Sequence, residues 1–169
     1  MGYNIGYGIT NDGSSIYVSG TLKTKDERSD IYVAKLDTSL NIQWEKQSIG
    51  NSIKNICYGI ISDNEKNVYV TGTFRDSIRF GGQTLTAIEL WSTDIFIAKF
   101  SENGENMWAK GIYSYDYGFG YSIDFDHKNS IYVSGYAGEN AEFSPTFITG
   151  KEGPFLAKLT KGGDYEYVK

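Results

Sequence analysis

The tetrapeptide Tyr69-Val70-Thr71-Gly72 lies near the middle of the chain and has a close counterpart on either side. It recurs upstream as Tyr17-Val18-Ser19-Gly20 and downstream as Tyr132-Val133-Ser134-Gly135. Self-similarity at separations of this size is the sequence signature of a repeat architecture, in which each repeat is one supersecondary unit. The chain therefore divides into three related units.

Two further motifs accompany each tetrapeptide in the same order. The first is an apolar run that contains Ala-Lys, found at 31–36, 95–100 and 154–159. The second is an aromatic residue nine positions after the lysine of that run, namely Trp44, Trp108 and Tyr167. Three motifs repeated three times in one order are not expected by chance.

Each unit reads as four short strands, because β-branched and aromatic residues alternate between Gly, Asn and Asp punctuation. No segment requires a helix. The predicted strands cover about residues 6–10, 15–22, 30–37, 42–49, 56–62, 67–74, 94–101, 106–112, 120–125, 130–136, 154–160 and 165–169.

Four-stranded units that repeat every 50 to 65 residues are typical of β-propeller blades. A β-sandwich also has many short strands, but it has no reason to repeat the same side chains three times. We therefore predict an all-β fold, a β-propeller of three four-stranded antiparallel blades. The single domain spans 1–169, with blades at about 3–50, 51–112 and 113–169.

Three blades form an incomplete ring, since propellers close with about 4 to 8 blades. The two flanks are expected to expose apolar and aromatic blade faces, and large exposed apolar surfaces mark interfaces. One arrangement is a homodimer that closes a six-bladed ring. The other is a piece of a longer array, whose neighbouring blades cover the flanks. Met1-Gly2 fits a cloning remnant and a native start equally well.

Unit two carries a family resemblance along most of its length. The strings Asn67–Phe74, Phe80–Thr86, Asp94–Phe100 and Asn103–Trp108 resemble the SBBP-type bacterial β-propeller repeat. Unit one lacks the Phe80-Gly81-Gly82 segment, and unit three has Phe143-Ser144-Pro145 instead. The resemblance implies bacterial surface or secreted proteins with binding or scaffolding roles and no shared catalytic residues. An extracellular or cell-surface location follows from it as an expectation.

Composition limits the partners. The 169 residues include 16 basic and 21 acidic side chains, giving a net charge of -5, and 40% are hydrophobic. This hydrophobic share supports a core and excludes a disordered segment. The absence of a basic cluster argues against nucleic acid, and no apolar run reaches the ~18 residues that membrane insertion needs. The single cysteine, Cys57, forms no intramolecular disulfide and is predicted to be a buried core residue.

The two ends of the blades differ in their connections. Hairpin turns such as Asn11-Asp12-Gly13 are short, whereas the second-to-third strand connections and the links between blades are long and variable. We call the end with the long connections the loop face. Loops on a rigid scaffold commonly carry specificity, and exposed aromatic rings suit sugars or protein hot spots. The predicted ligand-binding residues are Trp91, Tyr113, Tyr115, Tyr117 and Tyr136. The alternative for each ring is packing between blades.

Catalysis and metal binding find little support in the sequence. The lone histidine, His127, lies in a predicted turn without a second histidine or a nucleophile elbow. Asp124-Phe125-Asp126 lacks the spacing of a calcium loop and is explained by an Asx turn. We predict no catalytic residue, no metal and no cofactor.

The sequence favours a non-catalytic binding or scaffold module that recognises a protein partner through the loop face. A lectin-like glycan-binding propeller is the first alternative, because tyrosine and tryptophan rings stack on sugars as readily as on side chains. A polysaccharide-active enzyme is the second, since propeller folds also host glycosidases and lyases.

Overall fold

The structure, a computed structural model, describes residues 4–89, 91–126 and 128–169. Every regular secondary-structure element assigned within these ranges is a β-strand, which confirms the all-β prediction. In chain order they are β1 (Ile5–Asn11), β2 (Ser15–Lys23), β3 (Ser29–Asp37), β4 (Ile42–Gln47), β5 (Ile49–Gly50), β6 (Ile56–Ser62), β7 (Val68–Phe74), β8 (Ser77–Phe80), β9 (Gln83–Thr86), β10 (Asp94–Phe100), β11 (Asn106–Ile112), β12 (Phe119–Phe125), β13 (Ser130–Ala137), β14 (Glu142–Ser144), β15 (Phe147–Ile148), β16 (Gly153–Thr160) and β17 (Tyr165–Val168).

Twelve strands form three four-stranded antiparallel sheets, one for each sequence unit. Sheet I has the order β1-β2-β3-β4, sheet II β6-β7-β10-β11 and sheet III β12-β13-β16-β17. The bounds of these strands agree with the predicted ones to within about two residues. The blade boundaries between the sheets stay a prediction.

Sheet II lies between the other two, so both of its faces are covered. Val70 and Phe96 belong to one apolar cluster, shared with sheet I, while Ile95 and Ile97 belong to another, shared with sheet III. Side chains alternate between the faces of a strand. Because each face of sheet II has a partner, every residue of β7 and β10 is buried.

A carboxylate closes the turn between the first and second strands of each sheet. In sheet II the tyrosine of the repeat motif, Tyr69, donates its hydroxyl to Asp63 at 2.9 Å, and in sheet I Tyr17 donates to Asp12 at the same distance. In sheet III one oxygen of Asp126 accepts the backbone N–H groups of Lys128, Asn129 and Ser130 at 2.8, 3.0 and 3.0 Å. This geometry confirms the Asx-turn interpretation.

Five short strands were not predicted. They are β5, β8 and β9, which form a three-stranded sheet, and β14 with β15, which form a hairpin. The long connections of sheets II and III therefore contain ordered hairpins. The prediction of one strand over 42–49 is wrong at its end: β4 ends at Gln47, and Ile49 and Gly50 pair with β8. The Asp30 carboxylate accepts the Gly50 N–H at 3.0 Å and holds the chain in this new direction.

A tryptophan and a lysine link each sheet to the next. Trp44 donates its indole N–H to the Glu102 carbonyl oxygen at 2.8 Å, and the Lys35 ammonium donates to the same oxygen at 3.4 Å. At the boundary between sheets II and III the corresponding donors are Trp108 and Lys99, at 3.2 and 3.3 Å from the Lys161 carbonyl oxygen. Both boundaries therefore use the same polar contact, and each acceptor lies in the turn between the third and fourth strands.

Candidate functional site

Among the described residues, Trp91 is the most exposed large apolar residue, with 81% of its surface accessible. The Arg75 guanidinium lies 5.0 Å from the centre of its ring, in cation–π geometry. Together with Asp76 and Ile53 they line an open depression of about 320 Å³. The depression joins the loop of sheet II to the link between sheets I and II.

Tyr115 and Tyr117 are also exposed, and they lie in the link between sheets II and III. The backbone of this link is fixed to the segment that follows Trp91. Thr93 forms a parallel bridge with Tyr117, and the Gly118 N–H donates to the Thr93 carbonyl oxygen at 2.5 Å. The structure therefore joins the segment that carries Trp91 to the segment that carries Tyr115 and Tyr117, and we call the exposed rings of these two segments the aromatic loop surface.

Asp94 holds both parts of the aromatic loop surface in place. It is fully buried; one carboxylate oxygen accepts the Ser114 N–H at 2.9 Å and the other accepts the Ile88 N–H at 3.2 Å. Burial raises the pKa of this carboxyl to about 6, although both hydrogen bonds favour the charged form. Asp94 thus connects the two segments that carry the exposed rings.

Tyr113 lies apart from this surface. It is half-buried, and its ring meets Phe74 edge-on with the centres 6.4 Å apart. Its backbone pairs with Glu142, donating at 3.1 Å and accepting at 2.7 Å. With Phe143 and Tyr165 it lines a cavity of about 340 Å³ between sheets II and III.

Tyr136 is the last residue but one of the second strand of sheet III and is half-buried. Its hydroxyl bonds the side chain of Glu152, which raises the tyrosine pKa. Its neighbours two and four residues earlier, Ser134 and Tyr132, share its side of the strand, which faces away from sheet II. The five predicted residues therefore divide into three on the aromatic loop surface, one between sheets and one on the outer face of sheet III.

A row of aromatic rings crosses all three sheets, and the sequence analysis missed it. Tyr7, Tyr58 and Tyr121 come from the first strands of sheets I, II and III, and the centres of adjacent rings are 5.5 Å apart in edge-to-face geometry. From Tyr121 the row continues through Phe119 at 5.6 Å to Tyr117 at 6.5 Å, with stacked rings. We call this the tyrosine row; it ends at the aromatic loop surface.

Each of the three tyrosines occupies the same irregularity of its strand. The pairing register shifts between Gly6 and Gly8, between Cys57 and Gly59, and between Gly120 and Ser122. A β-bulge leaves one extra residue unpaired and can re-aim its side chain. The extra residue is the tyrosine in every sheet, and the signal that would have found it is a tyrosine followed by Gly or Ser near the start of each unit.

The described residues hold no group of three or more His, Cys, Asp or Glu side chains placed to bind a metal. His127 lies outside the described residues. Cys57 is fully buried, and burial raises its thiol pKa to about 12. This agrees with its prediction as a core residue, because the thiolate is the reactive form. Across the described ranges, no helix has the length and hydrophobicity needed to cross a bilayer.

Comparison with known proteins gives a distant relationship. No family model matches the chain. A protein named as an uncharacterized WD repeat-containing protein, from Acanthamoeba polyphaga mimivirus, is 28% identical over an alignment of 120 residues, and the match covers 64% of this chain. The match spans only 9% of that relative's length. A WD-repeat relative and three repeated four-stranded sheets together indicate a β-propeller-like fold. The SBBP resemblance is not tested by this match.

Proposed function

We propose that the chain is a non-catalytic interaction module in which sheets I, II and III are successive blades of an incomplete propeller, and that it recognises a protein partner through the aromatic loop surface. The observation that carries the proposal is the grouping of exposed Trp91, Tyr115 and Tyr117 on a backbone held by Asp94 and Thr93. Aromatic side chains dominate protein hot spots because they bury much area with few rotatable bonds.

The rigidity of this surface supports binding. Asp94 receives two backbone N–H groups, and the Thr73 hydroxyl donates to the Gly118 carbonyl oxygen at 2.7 Å. Loops that are ordered before binding lose less conformational entropy on association. Asp94 is the carboxylate whose pKa is raised most strongly. It has this structural role and is buried away from any substrate.

The resemblance to SBBP-type repeats supports a bacterial surface or secreted protein as the setting. In that setting the partner is another component of the surface assembly. The open outer faces of sheets I and III are covered by further blades, from a second copy of this chain or from neighbouring blades of a longer one.

The experiment compares capture of a partner by matched variants. The immobilised chain is exposed to an extract of the source organism, and retained proteins are quantified by mass spectrometry. We expect Trp91→Ala with Tyr117→Ala to lose the specific partner while the melting temperature stays near that of the parent. The matched control removes two exposed apolar side chains elsewhere, Ile42→Ala and Met107→Ala, and is expected to retain it. Equal capture by both double variants would refute the proposed surface.

A glycan ligand is the second candidate, favoured by the exposed flat ring of Trp91 beside the hydrogen-bonding groups of Arg75 and Asp76. A glycan array and sugar titrations followed by tryptophan fluorescence test it. Quenching that saturates and disappears in Trp91→Phe would favour the lectin. Turnover of a polysaccharide in the same panel would instead favour the enzyme alternative.

A further inference from the structure

One position changes from buried to exposed along the three sheets. Ile60 of sheet II and Ile123 of sheet III are each 6% exposed, whereas Ile9 of sheet I is 73% exposed. The register shows that they are equivalent, because each faces the valine of the repeat motif: Ile9 pairs with Val18, Ile60 with Val70 and Ile123 with Val133. Ile9 therefore lies on a surface that is covered by a neighbouring sheet in the other two cases.

The opposite face of the array shows the same change. Val33 of sheet I and Ile97 of sheet II are buried at 1% and 0%, each against the following sheet. Their counterpart in sheet III, Leu156, is 44% exposed. The outer face of sheet III is thus equivalent to the faces of sheets I and II that cover Ile60 and Ile123. The outer face of sheet I carries Ile9, which is equivalent to those two covered isoleucines.

Sheet III also carries counterparts of the lysine and the tryptophan that make the polar contact between sheets. Lys158 pairs with Tyr167 across β16 and β17, as Lys35 pairs with Trp44 and Lys99 with Trp108. The Lys158 ammonium bonds the Glu166 carboxylate on its own sheet at 2.8 Å. Tyr167 is exposed and replaces the tryptophan of the other two sheets.

The turn of sheet I that is equivalent to the acceptor turns of sheets II and III differs from them at the glycine position. In sheets II and III the acceptor turn contains Gly104 and Gly163, with φ values of 77° and 88°. Leu40 occupies this place in sheet I with φ 66°. Its N–H closes the same turn by donating to the backbone carbonyl oxygen of Asp37 at 2.9 Å. The carbonyl that corresponds to those of Glu102 and Lys161 belongs to Thr38.

Leu40 excludes the ring that the other turns accept. A Cβ added at Gly104 would lie 2.7 Å from Cδ2 of Trp44, and one added at Gly163 would lie 3.2 Å from Cε2 of Trp108. An indole placed in the same way on sheet I would therefore collide with Leu40. The single ring of Tyr167 is smaller, so the change from tryptophan to tyrosine and the change from glycine to leucine compensate each other.

We propose that the outer face of sheet III docks on the outer face of sheet I of a second copy of this chain, repeating the packing between its own sheets. Leu156 covers Ile9 of the partner, and Lys158 and Tyr167 contact the partner's turn at Thr38–Leu40. The same contact made in both directions gives a closed pair with six sheets. The inference rests on the propeller-like arrangement proposed above and identifies which blades cover its flanks.

The primary measurement is the mass in solution by light scattering after size exclusion. We expect twice the chain mass of 18.9 kDa for the parent. Ile9→Asp and Leu156→Asp each place an unpaired charge in the buried contact and are expected to raise the dimer Kd by at least ~100-fold. Met107→Asp, an exposed apolar position on β11, is the matched control and is expected to leave the dimer intact.

Mixing the two interface variants tests the direction of the contact. Ile9→Asp leaves sheet III intact and Leu156→Asp leaves sheet I intact, so an equimolar mixture retains one unaltered contact and is expected to form a dimer. If sheet I instead packed on sheet I, Leu156→Asp alone would stay dimeric. A monomeric parent, a dimeric Leu156→Asp variant or a mixture that stays monomeric would each overturn the proposal.

The compensation at the turn provides an independent test. Tyr167→Trp is expected to weaken the dimer, and the double variant Tyr167→Trp with Leu40→Gly to recover it, because the pair then matches Trp44 and Gly104. Equal dimer Kd values for the single and double variants would contradict the assigned contact. Failure of any of these tests leaves the partner capture by the aromatic loop surface unaffected, since Trp91 and Tyr117 lie outside the contact. The two proposals are therefore separable.

Discussion

Trp44 donates its indole N–H to the backbone carbonyl oxygen of Glu102, 2.8 Å away, across the boundary between sheets I and II. The contact joins residues that are far apart in sequence and recurs between Trp108 and Lys161. The repeated aromatic residue is therefore a connector between units, and its position nine residues after the motif lysine brings both donors to one oxygen.

Replacing the connector tests its contribution. Trp44→Phe keeps an aromatic ring but removes the N–H, and we expect the free energy of unfolding to fall by about 1–2 kcal/mol. Trp91→Phe, at an exposed ring, is the control and is expected to change it by less than ~0.5 kcal/mol. Urea unfolding followed by circular dichroism measures both. Equal stabilities of the two variants would show that the hydrogen bond contributes nothing.

The glycine that receives Trp44 allows no side chain. Gly104 has φ 77°, and an added Cβ would lie 2.7 Å from the Trp44 ring. We expect Gly104→Ala to lower the free energy of unfolding by about 2–3 kcal/mol, through left-handed backbone strain and the steric contact. Gly82→Ala is the control, because a Cβ there meets nothing within 4 Å. Thermal unfolding that shows the same loss for both variants would refute the steric argument.

Asp94 makes part of the stability depend on pH. Its pKa is raised from 3.8 to about 6 in the folded protein, so the folded state binds more protons between these values. The stabilisation that the protonated Asp94 carboxyl contributes is present below about pH 4 and is lost as the pH rises through about 6. A shift of two pKa units corresponds to about 2–3 kcal/mol of unfolding free energy. Unfolding of the parent and of Asp94→Asn is measured from pH 4 to pH 7.

Other carboxylates contribute to the pH dependence of both proteins, so the quantity to compare is the difference between the parent and Asp94→Asn. We expect the parent's advantage over the variant to shrink as the pH rises across this window. A difference that is constant with pH would show that the Asp94 carboxyl does not titrate there.

The tyrosine row depends on the middle one of its three bulge tyrosines. Tyr58 contacts Tyr7 on one side and Tyr121 on the other, both edge-to-face at 5.5 Å. We expect Tyr58→Ala to cost about 2–3 kcal/mol of unfolding free energy by removing two ring contacts, and Tyr58→Phe to cost less than ~1 kcal/mol. Chemical denaturation distinguishes them. A large loss in Tyr58→Phe would mean that the hydroxyl, and not the ring, stabilises the row.

The fold was largely predictable from the sequence because its determinants are local and repeated. Alternating apolar residues between turn signals placed the twelve main strands, as at Val68–Phe74 and Asp94–Phe100. The alternation of apolar residues does not predict the bulge at Tyr58, because one extra residue leaves the overall composition of the strand unchanged. The hairpin β8–β9 is not predictable from this alternation, because each of its strands has only four residues and both lie within a long connection.

The candidate site was only partly predictable. Tyr113, Tyr115 and Tyr117 alternate within one short link and are alike in sequence, yet Tyr113 packs on Phe74 while the other two are exposed. Which side of the link is covered depends on Glu142, nearly thirty residues further along the chain, whose backbone pairs with Tyr113. Pairing between distant segments leaves no mark on the local pattern.

By itself, the sequence determined the number of units, the four main strands in each and the position of the repeated aromatic residue, because backbone alternation and turn chemistry act between near neighbours. Only the tertiary structure decided which equivalent residues are covered. Ile9 and Ile60 have the same place in their strands, but one is exposed and the other buried. The difference arises because burial is set by the neighbouring sheet, and among the described residues sheet I packs against sheet II on one face only.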